Sequence, residues 1–190
     1  MPIVIENDAN CFALAEHRFG AGKGKKNVVG VIIGTGVGGG LIIENKLYTG
    51  SGWGCELGHI IIDPSGIDCN CGNVGDFNSW CSGRDIVRHY LKIGGEMENP
   101  NAKKIFESDD AVAQKIKEMT IEKIAIGCAS VANVIDPDII VIGGGVSAVL
   151  PFDEINRRAQ MYMKNKEIPV VKTALGETAG AVGAAVLVFG

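Results

Sequence analysis

The longest periodic stretch of the chain lies near its middle. From about residue 110 to 135, Val112, Ile116, Met119, Ile124, Cys128 and Val131 recur at helical spacing, with Ser108 as the expected N-cap. The triplet Asp136-Pro137-Asp138 breaks that pattern, and the apolar run IIVIGGG (139–145) reads as a buried strand. Toward the N-terminus, PIVIEN (2–7) reads as a short strand. DANCFALAEHRF (8–19) reads as a helix with Phe12, Ala15 and Phe19 on one face and Gly20 as its stop. Two β-rich runs, NVVGVIIG (27–34) and GGLIIENKLY (39–48), are joined by GTGVG (34–38), and GHIIID (58–63) is a further short strand. Residues 84–92 are helical, and the polar segment near 95–102 is a loop. FDEINRRAQMYM (152–163) is a helix, IPVVKTA (168–174) a strand and AGAVGAAVLVF (179–189) a helix of small residues. The mixture is α/β, a sheet flanked by helices, without internal repeats.

Composition narrows the class. The 190 residues are 46% hydrophobic and 21% charged, enough to bury a core. A net charge of −4 argues against nucleic acid as a main partner. The single basic cluster, GKGKK (22–26), precedes an apolar strand and reads as a solvated loop. No stretch has the length of a membrane span, and nothing at the N-terminus has the pattern of a signal peptide, so the expectation is a cytoplasmic chain with reduced thiols. Of six cysteines, Cys11 and Cys128 fall in helical patterns and read as small buried apolar residues. The 27 glycines are clustered at 34–40, 50–54, 72–75, 143–145 and 176–183, between apolar runs, where a backbone turns tightly or approaches a ligand.

Three places carry candidate chemistry. Gly34, Gly36 and Gly39 fit the dinucleotide pattern G-x-G-x-x-G, but that mechanism needs a helix directly after the glycines. Here Leu41 to Tyr48 are strand-like. The reading is therefore a β-hairpin whose tip exposes backbone N–H groups beside the Thr35 hydroxyl. Such a tip is either a phosphate cradle or a plain glycine turn. Asn7 and Asp8 stand where a helix begins, a place that suits either an N-cap or an ionised carboxylate. The stretch GHIIIDPSGIDCNCGNVGDF (58–77) holds one of three histidines and two of the cysteines. It could serve as a metal site, a redox site or a plain loop.

Taken together, ENDAN (6–10), GTGVGGG (34–40), ELGH (56–59), CNCGNVG (69–75), IIVIGGGVS (139–147) and LGETAGAVGAA (175–185) resemble, in order, the motifs of ROK family sugar kinases. That resemblance implies the actin-like, ribonuclease-H-like ATPase fold. It also implies transfer of the ATP γ-phosphoryl group to a hydroxyl of a hexose or N-acetylhexosamine, with Mg²⁺; a homo-oligomer, a dimer, is expected, since self-association would cover surface that a further lobe covers in the family. By the same resemblance Asp8 would be the catalytic base, and Asn7, Glu56, His59 and the residue at 78 would hold the sugar. Gly34, Thr35, Gly36, Gly38 and Gly39 would face the ATP phosphates, and Gly143, Gly144 and Gly145 the adenosine.

Family members carry a structural zinc on one histidine and three cysteines. His59, Cys69 and Cys71 keep that spacing, while Asp76 stands at the fourth position; Cys81 lies five residues further on. Zinc accepts carboxylate oxygen, so His59, Cys69, Cys71 and Asp76 form the expected set, with a metal-free loop as the alternative. A glutamate that contacts sugar in the family is replaced by Asn78, which keeps hydrogen bonding without charge. The family's first lobe, with its D-x-G-G-T-like motif, has no counterpart in this sequence, so residues 1–190 are expected to be a single C-terminal lobe with little kinase activity alone. Two other readings are the sugar-sensing domain of a ROK-type repressor and a non-catalytic homologue, the latter suggested by Asp76 and Asn78.

Overall fold

The computed structural model describes residues 3–189. Five strands form one mixed sheet in the order β3-β2-β1-β4-β5. β1 (Val28–Ile33), β2 (Val37–Ile43) and β3 (Lys46–Tyr48) are an antiparallel meander, and β4 (Ile139–Gly143) and β5 (Val170–Lys172) extend it in parallel from β1. The two-residue period of the strands divides the core between the two faces. Val28, Ile42, Ile139 and Val141 face α1 (Asp8–Phe19) and α7 (Ala179–Phe189). Val29, Val31, Ile33, Leu41, Ile140 and Ile142 face the other way, into the core shared with α5 (Ala111–Ile135), α6 (Phe152–Tyr162) and the segment 77–106. Both faces of the sheet are therefore covered, as the near-continuous apolar run of β4 requires.

Helix α1 lies unusually close to the sheet. A Cβ on Gly40 would fall 2.3 Å from the Ala9 carbonyl oxygen and 2.7 Å from the Ala13 Cβ, and one on Gly30 would fall 2.9 Å from that same Cβ. Small residues on the helix meet glycines on the strands, so the helix start is pressed against the β1–β2 hairpin. Part of the glycine cluster thus serves packing rather than ligand approach.

Several expectations change. Residues 3–7 form no strand; Ile3 and Ile5 are 85% and 91% exposed, and among the described residues no neighbour takes up their backbone groups. GHIIID is not a strand either. Leu57–His59 is a 3₁₀ turn, and the backbone of the following residues bonds to the returning loop: Ile62 and Asp63 N–H to the Gly75 carbonyl, and Phe77 N–H to that of Ile60. GGLIIENKLY is two strands, because Glu44 and Asn45, both with φ near +50 to +60°, close a tight hairpin turn. The long helix is capped by Asp110, which accepts from the N–H groups of Val112 and Ala113, not by Ser108. Phe19 is 58% exposed although Phe12 and Ala15 are buried. Two short helices carried too few turns for a periodic signal: α2 (Phe77–Cys81) and α4 (Ala102–Glu107); α3 (Gly83–Lys92) lies as expected. Among the described residues no helix is long and apolar enough to cross a membrane.

Candidate functional site

At the start of α1 the two roles left open for Asn7 and Asp8 are divided. The Asn7 side chain accepts from Ala9 N–H at 2.8 Å and is the N-cap. Asp8 is the first helical residue and is exposed, so its carboxylate sits at the positive end of the helix without serving as the cap. Glu6 steadies this corner through bonds from Asn7 N–H and Asn10 Nδ2, each 2.9 Å.

The predicted hairpin is present, its strands in register from Val28↔Ile42 to Ile33↔Val37. Its tip, with Thr35 and Gly36 exposed, borders a cavity of about 450 Å³ lined by Asn7, Asp8, the hairpin residues Gly34 to Gly39 and Glu56. Helix start, glycine tip and Glu56 thus meet around one space although they are up to about fifty residues apart.

The glycine group at 143–145 is only partly at a surface. Gly143 is buried within β4, its Cβ position filled by the Phe12 ring at 2.4 Å. Gly144, with φ +87°, turns the chain out of the sheet, and a Cβ there would lie 2.5 Å from the Ile33 carbonyl oxygen. Gly145 stands between two further cavities. One, about 450 Å³, reaches Thr35, the start of α3 and residues 100–103; the other, about 320 Å³, is walled by Thr173 to Glu177. That wall is held by a residue the sequence reading passed over. Glu16, fully buried, accepts from Leu175 N–H at 3.0 Å, Ala174 N–H at 3.3 Å, Ala21 N–H at 2.8 Å and the Thr173 hydroxyl. A glutamate inside a helical apolar pattern was the available signal, because burying a carboxylate is costly unless donors surround it.

The cysteine loop brings its expected ligands together. One donor atom from each of His59, Cys69, Cys71 and Asp76 lies within 4.8 Å of the others. The Asp76 oxygens divide their work: Oδ1 caps α2 by accepting from Ser79 N–H at 2.7 Å, while Oδ2 lies 3.0 Å from His59 Nδ1 and 3.4 Å from Cys71 Sγ. Burial tends to raise the Asp76 carboxyl, but bonds from Cys69, His59 and Ser79 outweigh it and hold it below the usual carboxylate value. The Cys69 thiol is pushed up by burial and by the adjacent Asp76. Nitrogen, two sulfurs and oxygen on one small loop fit zinc. Cys81 is fully buried in the main core instead, its thiol raised well above the ordinary value by burial, and is not part of the cluster.

Asn78 is 7% exposed and engaged at both ends, its Oδ1 accepting from Val37 N–H at 2.8 Å and its Nδ2 approaching Asp85 and Cys69. Asp85 is fully buried; burial opposes its charge, but Arg84, Ser82 and Arg88 hold the carboxyl below its ordinary value.

Comparison with known proteins gives this geometry a context. A "Glucokinase" of Thermotoga maritima is 33% identical over 98% of the chain. An "N-acetyl-D-glucosamine kinase" of Mannheimia succiniciproducens is 35% identical over 96%. The chain spans about 65% of the length of each of these curated relatives. Among solved structures, a ROK family glucokinase from Streptomyces griseus in complex with glucose and AMPPNP superposes with a TM-score of 0.86 at 36% identity, over 98% of this chain and 68% of that one. A ROK family transcriptional regulator, a homologue of the E. coli MLC protein, superposes with a TM-score of 0.84 at 26% identity, over 98% of this chain and 52% of that one. The fold is thus the actin-like ATPase fold of the ROK sugar kinases. With the ROK family description matching residues 1–190 throughout, the chain belongs to the ROK family.

Proposed function

We propose that these residues form the sugar- and phosphate-facing lobe of an ATP-dependent sugar kinase acting in the cytoplasm on a hexose or N-acetylhexosamine. The observation that carries this reading is the single cavity shared by Asp8, Asn7, the glycine hairpin and Glu56. Phosphoryl transfer asks the protein mainly for positioning and charge stabilisation, plus an acceptor for the hydroxyl proton. Asp8 supplies that acceptor: it lines the cavity and is exposed at the start of α1. Asn7 and Glu56 can bond sugar hydroxyls, and His59, whose Nδ1 faces the cysteine cluster, joins them through its other ring nitrogen. The tip Gly34–Gly36 and the start of β2 face the ATP phosphates, where Mg²⁺ carried by the nucleotide neutralises charge. Gly144 and Gly145 border the adenosine. Zn²⁺ held by His59, Cys69, Cys71 and Asp76 would fix the shape of the loop between Glu56 and α2.

A sugar-sensing role without phosphorylation is the second reading, favoured by the likeness to the transcriptional regulator. One substitution separates the two. In a protein of the relatives' full length, Asp8→Asn keeps the helix start, because Asn7 is the cap, but removes the proton acceptor. Sugar-dependent ATP consumption should fall by about 10²–10⁴-fold while sugar affinity changes far less. Turnover near the parent's would show that Asp8 is not the base, and a parent that binds sugar without consuming ATP would favour the sensor.

A further inference from the structure

The residue at position 78 lies deep in the protein, between the cysteine loop and the phosphate hairpin. Its carboxamide oxygen accepts from Val37 N–H at 2.8 Å, at the point where the hairpin tip passes into β2. Its nitrogen stands 3.5 Å from Cys69 Sγ and 3.4 Å from Asp85 Oδ2. The hairpin comes close enough that a Cβ on Gly36 would meet Asn78 Oδ1 at 3.3 Å. Five residues further on, Gly83 N–H donates to the Gly34 carbonyl at 2.7 Å. Two backbone groups at the base of the tip are therefore held by the one segment, 78–83, that directly follows the cysteine loop.

That segment is in turn fixed by the candidate ligands. Asp76 caps α2 with one oxygen and turns the other to the cluster, and Phe77, fully buried, clamps the helix against α5 at Gly127. We propose that Asn78 is a positioning residue that couples the metal loop to the phosphate hairpin, so that metal binding at His59, Cys69, Cys71 and Asp76 firms the hairpin tip for nucleotide phosphates. The inference rests on the loop being a metal site. A metal on Cys69 would fix the position of its sulfur as an acceptor for the Asn78 N–H₂ group, 3.5 Å away, and bonds of this kind to a ligating sulfur orient the outer residue. With its nitrogen directed to sulfur, the carboxamide oxygen is directed to Val37. Coupling of this kind is reciprocal, so phosphate on the tip also tightens metal in the loop.

The test is residue-resolved hydrogen exchange on the 190-residue chain, metal-free and with one equivalent of Zn²⁺. The amides of Gly72 and Gly75 report the loop, Val37 and Gly83 the hairpin anchor, and Ile142 in β4 the distant core. Zn²⁺ should slow the loop amides and also Val37, the latter at least about five-fold, the lower end of typical coupling, with Ile142 unchanged. In Asn78→Ala the loop should still respond and Val37 should not. Protection confined to the loop in the parent overturns the coupling while leaving the metal site standing, and that comparison needs no variant to fold. No response at the loop would refute the metal site itself, and with it the coupling. A Val37 response that persists in Asn78→Ala would show that the link runs through another residue.

Discussion

Replacing Glu16 by glutamine changes one atom in a fully buried side chain and should be felt across two elements. The carboxylate meets four donors: the Thr173 hydroxyl and Leu175 N–H at Oε1, and Ala21 N–H and Ala174 N–H at Oε2. An amide has one acceptor oxygen, so its nitrogen must face one of these pairs. Facing Ala21 and Ala174 it leaves two backbone N–H groups unpaired. Facing Thr173 and Leu175 it leaves only Leu175, because the hydroxyl can turn to accept. The second orientation is cheaper. It still strands one buried donor, at about 1–3 kcal/mol, and exchanges charge-assisted bonds for neutral ones. The expected loss is therefore about 2–4 kcal/mol, or roughly 4–16 °C in Tm for a chain of this size. Urea denaturation of parent and Glu16→Gln at neutral pH measures it. A difference below about 0.5 kcal/mol would refute the reasoning, since it would mean the carboxylate's second acceptor oxygen is not needed to hold residues 173–175 and the cavity wall they form.

Metal analysis of protein purified without chelator should give close to one zinc per chain. At a free concentration a hundred times Kd, zinc should add about 2.7 kcal/mol to stability. Cys71→Ala removes an exposed ligand at little packing cost, so it should abolish that gain while leaving the metal-free stability nearly unchanged; a zinc-dependent rise in Tm that survives the substitution would count against the site. Asp63 has its carboxyl held at about 2 by the bonded Lys123 ammonium and by Ser65. Its folded value lies below the unfolded one near 3.9, so its stabilisation is present above about pH 4 and lost as pH falls toward 2. With Asp63 partly exposed, the pair is worth about 1 kcal/mol after solvent screening, and the stability difference between parent and Asp63→Asn should shrink over that window. A difference independent of pH would mean the ion pair is not its source. Phe77→Ala, which empties a fully buried ring site against Gly127, should cost about 3–5 kcal/mol by denaturant unfolding, and a loss under 1 kcal/mol would show that α2 is held elsewhere.

Elements long enough to repeat a period were legible in the chain. The 3.6-residue recurrence of Ile116, Ile124, Cys128 and Val131 marked α5, and the unbroken apolar run 139–142 marked a strand covered on both sides, because each pattern reports a face that must leave water. The strand that follows GTGVGGG excluded a dinucleotide helix, and the family resemblance marked His59, Cys69, Cys71 and Asp76 as a donor set that the fold does bring together. Strand assignments at Ile3–Ile5 and Ile60–Ile62 failed because a β-rich run becomes a strand only when another backbone pairs with it. At 60–63 the returning loop pairs at a single antiparallel bridge, Ile61 with Asp76, too short to extend into a strand. The roles of Asn7, Glu16 and Asn78 were likewise decided by tertiary structure. A short polar side chain caps, ligates or braces according to which donors surround it, and for Glu16 and Asn78 those donors come from residues 173–175 and 37, far along the chain. Local order reads from local pattern; the partners of a buried polar group are set only when the sheet closes and distant segments meet.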